Sequence, residues 1–143
     1  MPRTRPGRRG PAVNDPVRRA AAGALPGTDV VVVLVTGPDP ATLEAISRRI
    51  VGERLAACVN LIPGVRSVYG WEGDVHQDAE TLAVVKTTRS ALEPLRERIL
   101  ELHPYDVPEF LALPVEAGSE GYVAWIDACV SGDPEDREAD GEA

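Results

Sequence analysis

Only one of the fifteen basic side chains is a lysine, Lys86, and only two of 143 residues are cysteines, Cys58 and Cys129. Two cysteines do not make a disulfide framework; they fit a reducing compartment, with a single bridge formally open. Neither belongs to a CxxC, and there is no HxxxH or HExxH pairing, which argues against a preformed closed zinc site. No apolar run approaches the roughly 18 residues of a membrane span. The longest, Val30 to Val35, is of strand length. A phosphate-cradling loop is missing too, because Gly37-Pro38-Asp39-Pro40 puts proline where backbone donors would be needed. No serine or cysteine triad can be assembled without a base and its orienting group shown in space. These absences leave a soluble, cytoplasmic protein as the expectation, with no membrane span.

The net charge of −8 is unevenly laid out. Residues 1–28 hold six arginines and one acid, and residues 131–143 hold six acids and one arginine. Residues 29–130 carry 16 acids against 8 bases. An acidic middle argues against nucleic acid, since phosphate contacts need clustered Lys and Arg. It is compatible with cation binding. Residues 1–28 lack a hydrophobic period, and Ala20 to Leu25 is too short for a signal-peptide core. The expected organisation is a disordered basic extension over 1–28, one folded domain over 29–130 and a flexible acidic tail over 131–143.

Within the domain, Asp29 to Thr36 reads as a buried central strand. Asp39-Pro40 supplies an N-cap and a first-position proline for a helix striped by Leu43, Ile46, Ile50 and Val51. Residues 55–70 read as a strand interrupted at Pro63-Gly64, where a proline implies an edge or a bulge. Gly73-Asp74 is a turn signal, and Thr81 to Thr88 reads as the returning strand of a hairpin. Ser90-Ala91-Leu92-Glu93 has the form of a capping box before a stripe at Leu92, Leu95, Ile99 and Leu102. Phe110 to Val115 is the fourth strand and Ser119 to Val130 a last helix. The order β-α-β-β-α-β plus a C-terminal helix is an α+β, ferredoxin-like arrangement with a long β-hairpin. Helices cover one face of such a sheet. The other face is apolar here as well, so self-association is expected.

Chemistry-bearing residues concentrate in His103-Pro104-Tyr105-Asp106-Val107-Pro108-Glu109. Each proline pushes the residue before it away from helical geometry, so the segment is stiff and presents its polar groups in a set arrangement. Cys58 lies on the second strand with Asn60 on the same face. Free cysteine is most often a small buried hydrophobe, but a thiolate suits soft metals such as copper or mercury, and imidazole suits the same ions. That makes His103 the natural companion of Cys58. His76, near the hairpin tip, reads as a solvated loop residue. Tyr69 and Trp71 share a strand face, as core or interface. Lys86 reads as an edge lysine or as the partner of a carboxylate in a cleft.

Several blocks carry a resemblance. Leu55-Ala56-Ala57-Cys58-Val59-Asn60, Tyr69-Gly70-Trp71-Glu72-Gly73, Asp78-Ala79-Glu80 with Lys86-Thr87, the His103 to Glu109 segment and Leu113-Pro114 occur in one order. From about Val30 to Trp125 the chain resembles the CutA divalent-cation tolerance family. The resemblance implies a tight homotrimer joined through long hairpins and a role in binding divalent cations, copper among them, as self-associating partner and bound ion respectively. The expected metal ligands are Cys58 and His103, with Asp106 and Glu109 as oxygen donors. Tyr69, Trp71, Glu80, Lys86 and Tyr105 would line a cleft between subunits. No catalytic residue and no enzymatic activity are expected. The alternative reading is a trimeric small-molecule-sensing signalling protein, resembling nitrogen-regulatory signal transducers, with its ligand in that cleft. A hydrolase using Cys58 as nucleophile is a third.

Overall fold

The computed structural model describes residues 28–131. The readings of residues 1–27 and of the acidic segment beyond Ser131 lie outside the described residues. The elements are β1 (Val30–Gly37), α1 (Pro40–Gly52), β2 (Cys58–Trp71), β3 (Asp74–Thr88), a 3-10 turn (Arg89–Ala91), α2 (Leu92–Leu102), β4 (Leu111–Pro114) and α3 (Glu120–Val130). All strand pairs are antiparallel, in the order β2-β3-β1-β4. This is the split β-α-β arrangement expected from the sequence.

Asp39 caps α1 as its sequence position implies. Its carboxylate accepts the Thr42 N–H at 2.7 Å, and Pro40 opens the helix. That hydrogen bond, with a second from the Thr42 hydroxyl, holds the Asp39 carboxyl below its ordinary value. The capping box at Ser90 does not form. Chain entry into α2 goes through the 3-10 turn, no side chain caps the helix, and the Ser90 hydroxyl pairs with that of Thr88 at 3.1 Å. A 3-10 turn satisfies first-turn donors in place of the side-chain cap.

Alternate residues of β1 and β3 point to opposite faces. Val31, Val33, Val35, Ala83 and Val85 meet Leu43, Ile46 and Ile50 of α1 and Leu95 and Ile99 of α2 in one core. Val32, Leu34, Leu82 and Val84 look the other way and are only half-buried. On that second face α3 covers one end, where Ile126 and Val130 pack with Val30 and Ala57. No helix among the described residues is long and apolar enough to cross a membrane.

Two departures from the sequence reading shape the hairpin. β3 begins at Asp74, not Thr81, so His76 sits in a strand and not in a loop. The stretch from Asp74 to Glu80 is polar and shows no alternation, yet its backbone is fully paired with β2. Around the turn, Glu72 (φ 49°) and Gly73 (φ 86°) both adopt the left-handed conformation that fits a two-residue hairpin. The interruption at Pro63-Gly64 is a bulge: Ile62 pairs with Leu82 and Val65 with Glu80, so two residues oppose Thr81 alone. Gly64 takes the positive φ (73°) there. One extra residue reverses the facing of everything beyond it. Tyr69 and Trp71 therefore join Cys58 and Asn60 on the open face instead of turning towards the helices. β1 ends at Gly37, opposite Thr81. Beyond that point β2 and β3 run on as a two-stranded arm.

Candidate functional site

Where the arm leaves the sheet, the His103 to Glu109 segment folds against β3. His103 ends α2 in an extended conformation (φ −78°, ψ 136°), as the following proline requires. Its ring is buried and engaged on both nitrogens. Nδ1 accepts the Tyr105 N–H at 3.1 Å, so the proton sits on Nε2 and is donated to the Thr36 carbonyl at 2.7 Å. His103 thus ties the segment to the end of β1. The neighbouring Tyr105 ring lies 4.8 Å from the imidazole, and its hydroxyl donates to Glu80 Oε2 at 2.9 Å. One turn of the pleat further out, the Tyr69 hydroxyl donates to the Asp78 carboxylate and its ring stacks on His76 at 5.7 Å.

Electrostatics follow from this crowding. Partial burial, then the Glu80 hydrogen bond and the charges of Glu80 and Asp78, push the Tyr105 phenol up to about 12. The Asp78 hydrogen bond raises the Tyr69 phenol in the same way. Partial burial and the nearby Glu80 charge raise the Glu109 carboxyl. The site is therefore an electronegative wall of three carboxylates and two phenols, held by a stiff loop on one side and a paired arm on the other. Asp106 is exposed on the same loop, and Trp71 is exposed near the arm's tip.

Of the expected cleft residues, Tyr69, Glu80 and Tyr105 come together here with Glu109, while Lys86 does not. Lys86 pairs with Cys58 across β2 and β3, its Nζ 3.9 Å from the thiol sulfur. Six residues of strand separate it from Glu80, about 20 Å at the usual rise. Beside it, Tyr122 of α3 stacks on Trp125 at 5.5 Å. Burial first, and then Cys58, raise the Tyr122 phenol. The four expected metal ligands likewise do not gather within one protomer. Among the described residues no three His, Cys, Asp or Glu side chains converge at metal-binding distance. The physical reason is the strand register. His103 is pinned to Thr36, opposite Leu82, whereas Cys58 lies opposite Lys86, four residues or about 13 Å along β3.

His76 and Tyr122 have no place in the site expected from the sequence, and Asp78 enters there only as one of the carboxylates that Lys86 could meet in a cleft. Asp78 was within reach of the sequence: with Glu72-Gly73 as the turn, Tyr69 pairs with His76 and Asp78 follows two positions on, on the same face. Tyr122 carried no such signal, because it reaches Cys58 only through tertiary packing.

The family model for the CutA1 divalent ion tolerance protein matches residues 31–129. The chain belongs to the CutA1 family. The divalent-cation tolerance protein CutA of Thermus thermophilus is 48% identical over 95 residues, which are 66% of this chain and 92% of that protein. The chloroplastic protein CutA of Arabidopsis thaliana is 49% identical over 96 residues, 67% of this chain but 53% of the plant protein, so the chain spans about half that relative's length. Among solved structures, CutA from Xylella fastidiosa superposes with a TM-score of 0.71 at 38% identity, covering 73% of this chain and all (100%) of that one. The Thermus thermophilus structure gives 0.67 at 47% identity, over 68% and 94%. This CutA1 fold is that of a family named for ion tolerance and not for a reaction.

Proposed function

We propose that this CutA1 protein is a non-enzymatic, cytoplasmic homotrimer that binds divalent cations, copper among them, and contributes to metal-ion tolerance. The family match over residues 31–129 carries the reading. Local chemistry supports it: Glu109 and Glu80 crowd one another, and a divalent cation against the wall would offset a repulsion that now falls on Glu109. Carboxylate and phenol oxygens suit hard or borderline ions, and the Cys58 thiol suits soft ones.

Trimer formation is supported by the open face of the sheet. Leu111 and Leu113 of β4 and Ile62 of β2 are 56%, 48% and 46% exposed, and they flank the half-buried Val32, Leu34, Leu82 and Val84. A contiguous apolar surface bounded by two edge strands calls for a partner, and a second and third copy supply it symmetrically. Of the expected ligands Cys58, His103, Asp106 and Glu109, His103 is buried with both ring nitrogens hydrogen-bonded and serves to hold the loop, so the proposed set reduces to Cys58, Asp106 and Glu109, completed between copies. Tyr69, Trp71, Glu80, Lys86 and Tyr105 then line the intersubunit cleft.

Calorimetric titration of the purified protein with Cu²⁺ tests the reading. Binding is expected to weaken at least tenfold in Cys58→Ala and in Glu109→Gln, about 1.4 kcal/mol for a factor of ten. Unchanged binding in both variants would remove the assigned ligands, and no binding to any divalent ion would remove the function.

A further inference from the structure

We propose that Cys58 and Lys86 form a redox-reversible covalent cross-link within one protomer, an N–O–S bridge from the Lys86 amine to the Cys58 sulfur. The two residues are direct partners across β2 and β3, and Nζ stands 3.9 Å from Sγ. Cross-strand partners share a face, so their side chains meet. Contacts on either side hold the pair in place: the Ala57 N–H donates to the Lys86 carbonyl at 2.9 Å, and the Thr87 hydroxyl donates to the Leu55 carbonyl at 2.7 Å. Both side chains are half-buried, at the end of the sheet that α3 covers. Lys86 is the sole lysine in a chain with 23 acids. Among the described residues its amine has the thiol as polar partner and no carboxylate. With so many acids available, an amine aimed at a thiol points to chemistry of the pair and not to an ordinary ion pair.

Dioxygen is the oxidant. Its O–O bond breaks, and one oxygen atom enters between nitrogen and sulfur. One N–H bond and the S–H bond are lost, an N–O and an O–S bond form, and both hydrogens leave with the second oxygen as water. Nitrogen and sulfur together give up four electrons, and dioxygen takes up four. Lysine enters as the free amine, so the ammonium proton passes first to solvent. Oxidation of a thiol follows its access, and a half-buried sulfur gives a small apolar oxidant a path. The flexible four-carbon lysine stem closes the remaining gap without moving a strand. The bridge forms inside one chain and needs no open groove or sheet edge, so assembly into a homotrimer does not compete with it. Once formed, it staples the start of β2 to the end of β3 and withdraws the thiol from soft cations. A dithiol reverses it, returning amine and thiol and releasing the oxygen as water.

Lys-C protease reads the bridge directly, because it cuts only after lysine and the chain has one. The full-length Cys129→Ser protein, which cannot form an internal disulfide, is held in air-saturated buffer with a chelator and then denatured without reductant. The bridged chain should be heavier by one oxygen less two hydrogens, and the fraction with that mass should equal the fraction that resists Lys-C. Dithiothreitol should restore both the original mass and the single cut. Cys58→Ser and Lys86→Arg in the same background should each abolish the mass change, their folds being checked by circular dichroism. The chain with its own Cys129 should give the same heavier species, so the result does not hang on how a variant folds. The proposal is overturned by a mass that air leaves unchanged, or by a mass change that survives Lys86→Arg. A gain of oxygen with Lys-C cutting complete would also overturn it, by putting the oxygen on sulfur alone. So would cross-linked dimers on a non-reducing gel, which would place the link between copies. No metal enters these measurements, so their failure leaves the cation reading standing, and a failure to bind copper leaves the bridge standing.

Discussion

The two faces of this sheet are built by alternate residues of the same strands, yet they are buried to different depths. Val33 and Val85, facing the helices, are 0% and 1% exposed, whereas Val32, Leu34, Leu82 and Val84 on the same strands face away and are only half-buried, and Leu111 and Leu113 of the edge strand β4 on that side are 56% and 48% exposed. Both sets are aliphatic, so composition does not separate them. What separates them is that α1 and α2 each bring an apolar stripe to one face, while α3 reaches only one end of the other. The fold is held together from one side, and the second side stays open over most of its length. The electronegative wall sits where that second side passes into the projecting arm.

Removing packing from the helix-covered face is the severest way to test that difference. Leu95 is fully buried (0%) in the core, and Leu95→Ala should destabilise the protein by about 2–5 kcal/mol, read from urea unfolding. A loss below about 1 kcal/mol would mean the helix face does not carry the fold. Next comes His103, which stitches the loop to β1. Replacing it with alanine leaves the Thr36 carbonyl and the Tyr105 N–H without their partner, an expected cost of about 1–3 kcal/mol. Loss of His103 should also loosen the wall, seen as faster amide exchange at Tyr105.

Leu113→Glu goes to the open face and should act in the opposite manner. The isolated protomer should stay within about 0.5 kcal/mol of its original stability, because the side chain is half exposed to begin with. Sedimentation should instead show the assembly reduced to monomers, and the unfolding midpoint should cease to depend on protein concentration. A trimer that survives Leu113→Glu would break the division of labour between the two faces.

Much of this was readable from the residues. Asp39-Pro40 named the start of α1, the Val30 to Val35 run named the central strand, and the blocks around Cys58 and His103 named the family. Illegible parts share one cause: they depend on pairing, not on periodicity. Asp74 to Ala79 has no apolar alternation because both its faces are exposed, so only its ladder with β2 reveals a strand. The bulge was visible as Pro63-Gly64, but its consequence, that Tyr69 changes face, follows only once Ile62 and Val65 are matched to Leu82 and Glu80. Ser90 showed the opposite failure. Its local pattern was right for a cap, and tertiary context chose a 3-10 entry in its place. The site suffered most, since the offset of four residues along β3, about 13 Å, between Cys58 and the His103 anchor is a matter of register that no motif encodes.

The smallest effect is the most local, and it asks whether the wall is a single electrostatic unit. Tyr105 holds its proton up to about pH 12, through partial burial and its hydrogen bond to Glu80. A phenol with a raised folded-state value contributes stability that is complete below the ordinary tyrosine range, about 10, and vanishes as pH rises through the folded value. Stability should therefore fall between about pH 10 and pH 12, and Glu80→Gln should bring the Tyr105 transition, followed by absorbance at 295 nm, back towards the ordinary range. Partial burial first, and then the same Glu80 charge, raise Glu109, whose stabilising contribution is present only in acid and is lost as the carboxyl ionises. At neutral pH Glu109→Gln should then raise the thermal midpoint slightly, with the gain disappearing at low pH. Both shifts have Glu80 in common, so Glu80→Gln should also shrink the gain from Glu109→Gln. If the two titrations respond independently, Tyr105 and Glu109 do not share one field, and a cation bound at Glu109 would leave the Tyr105 phenol where it is.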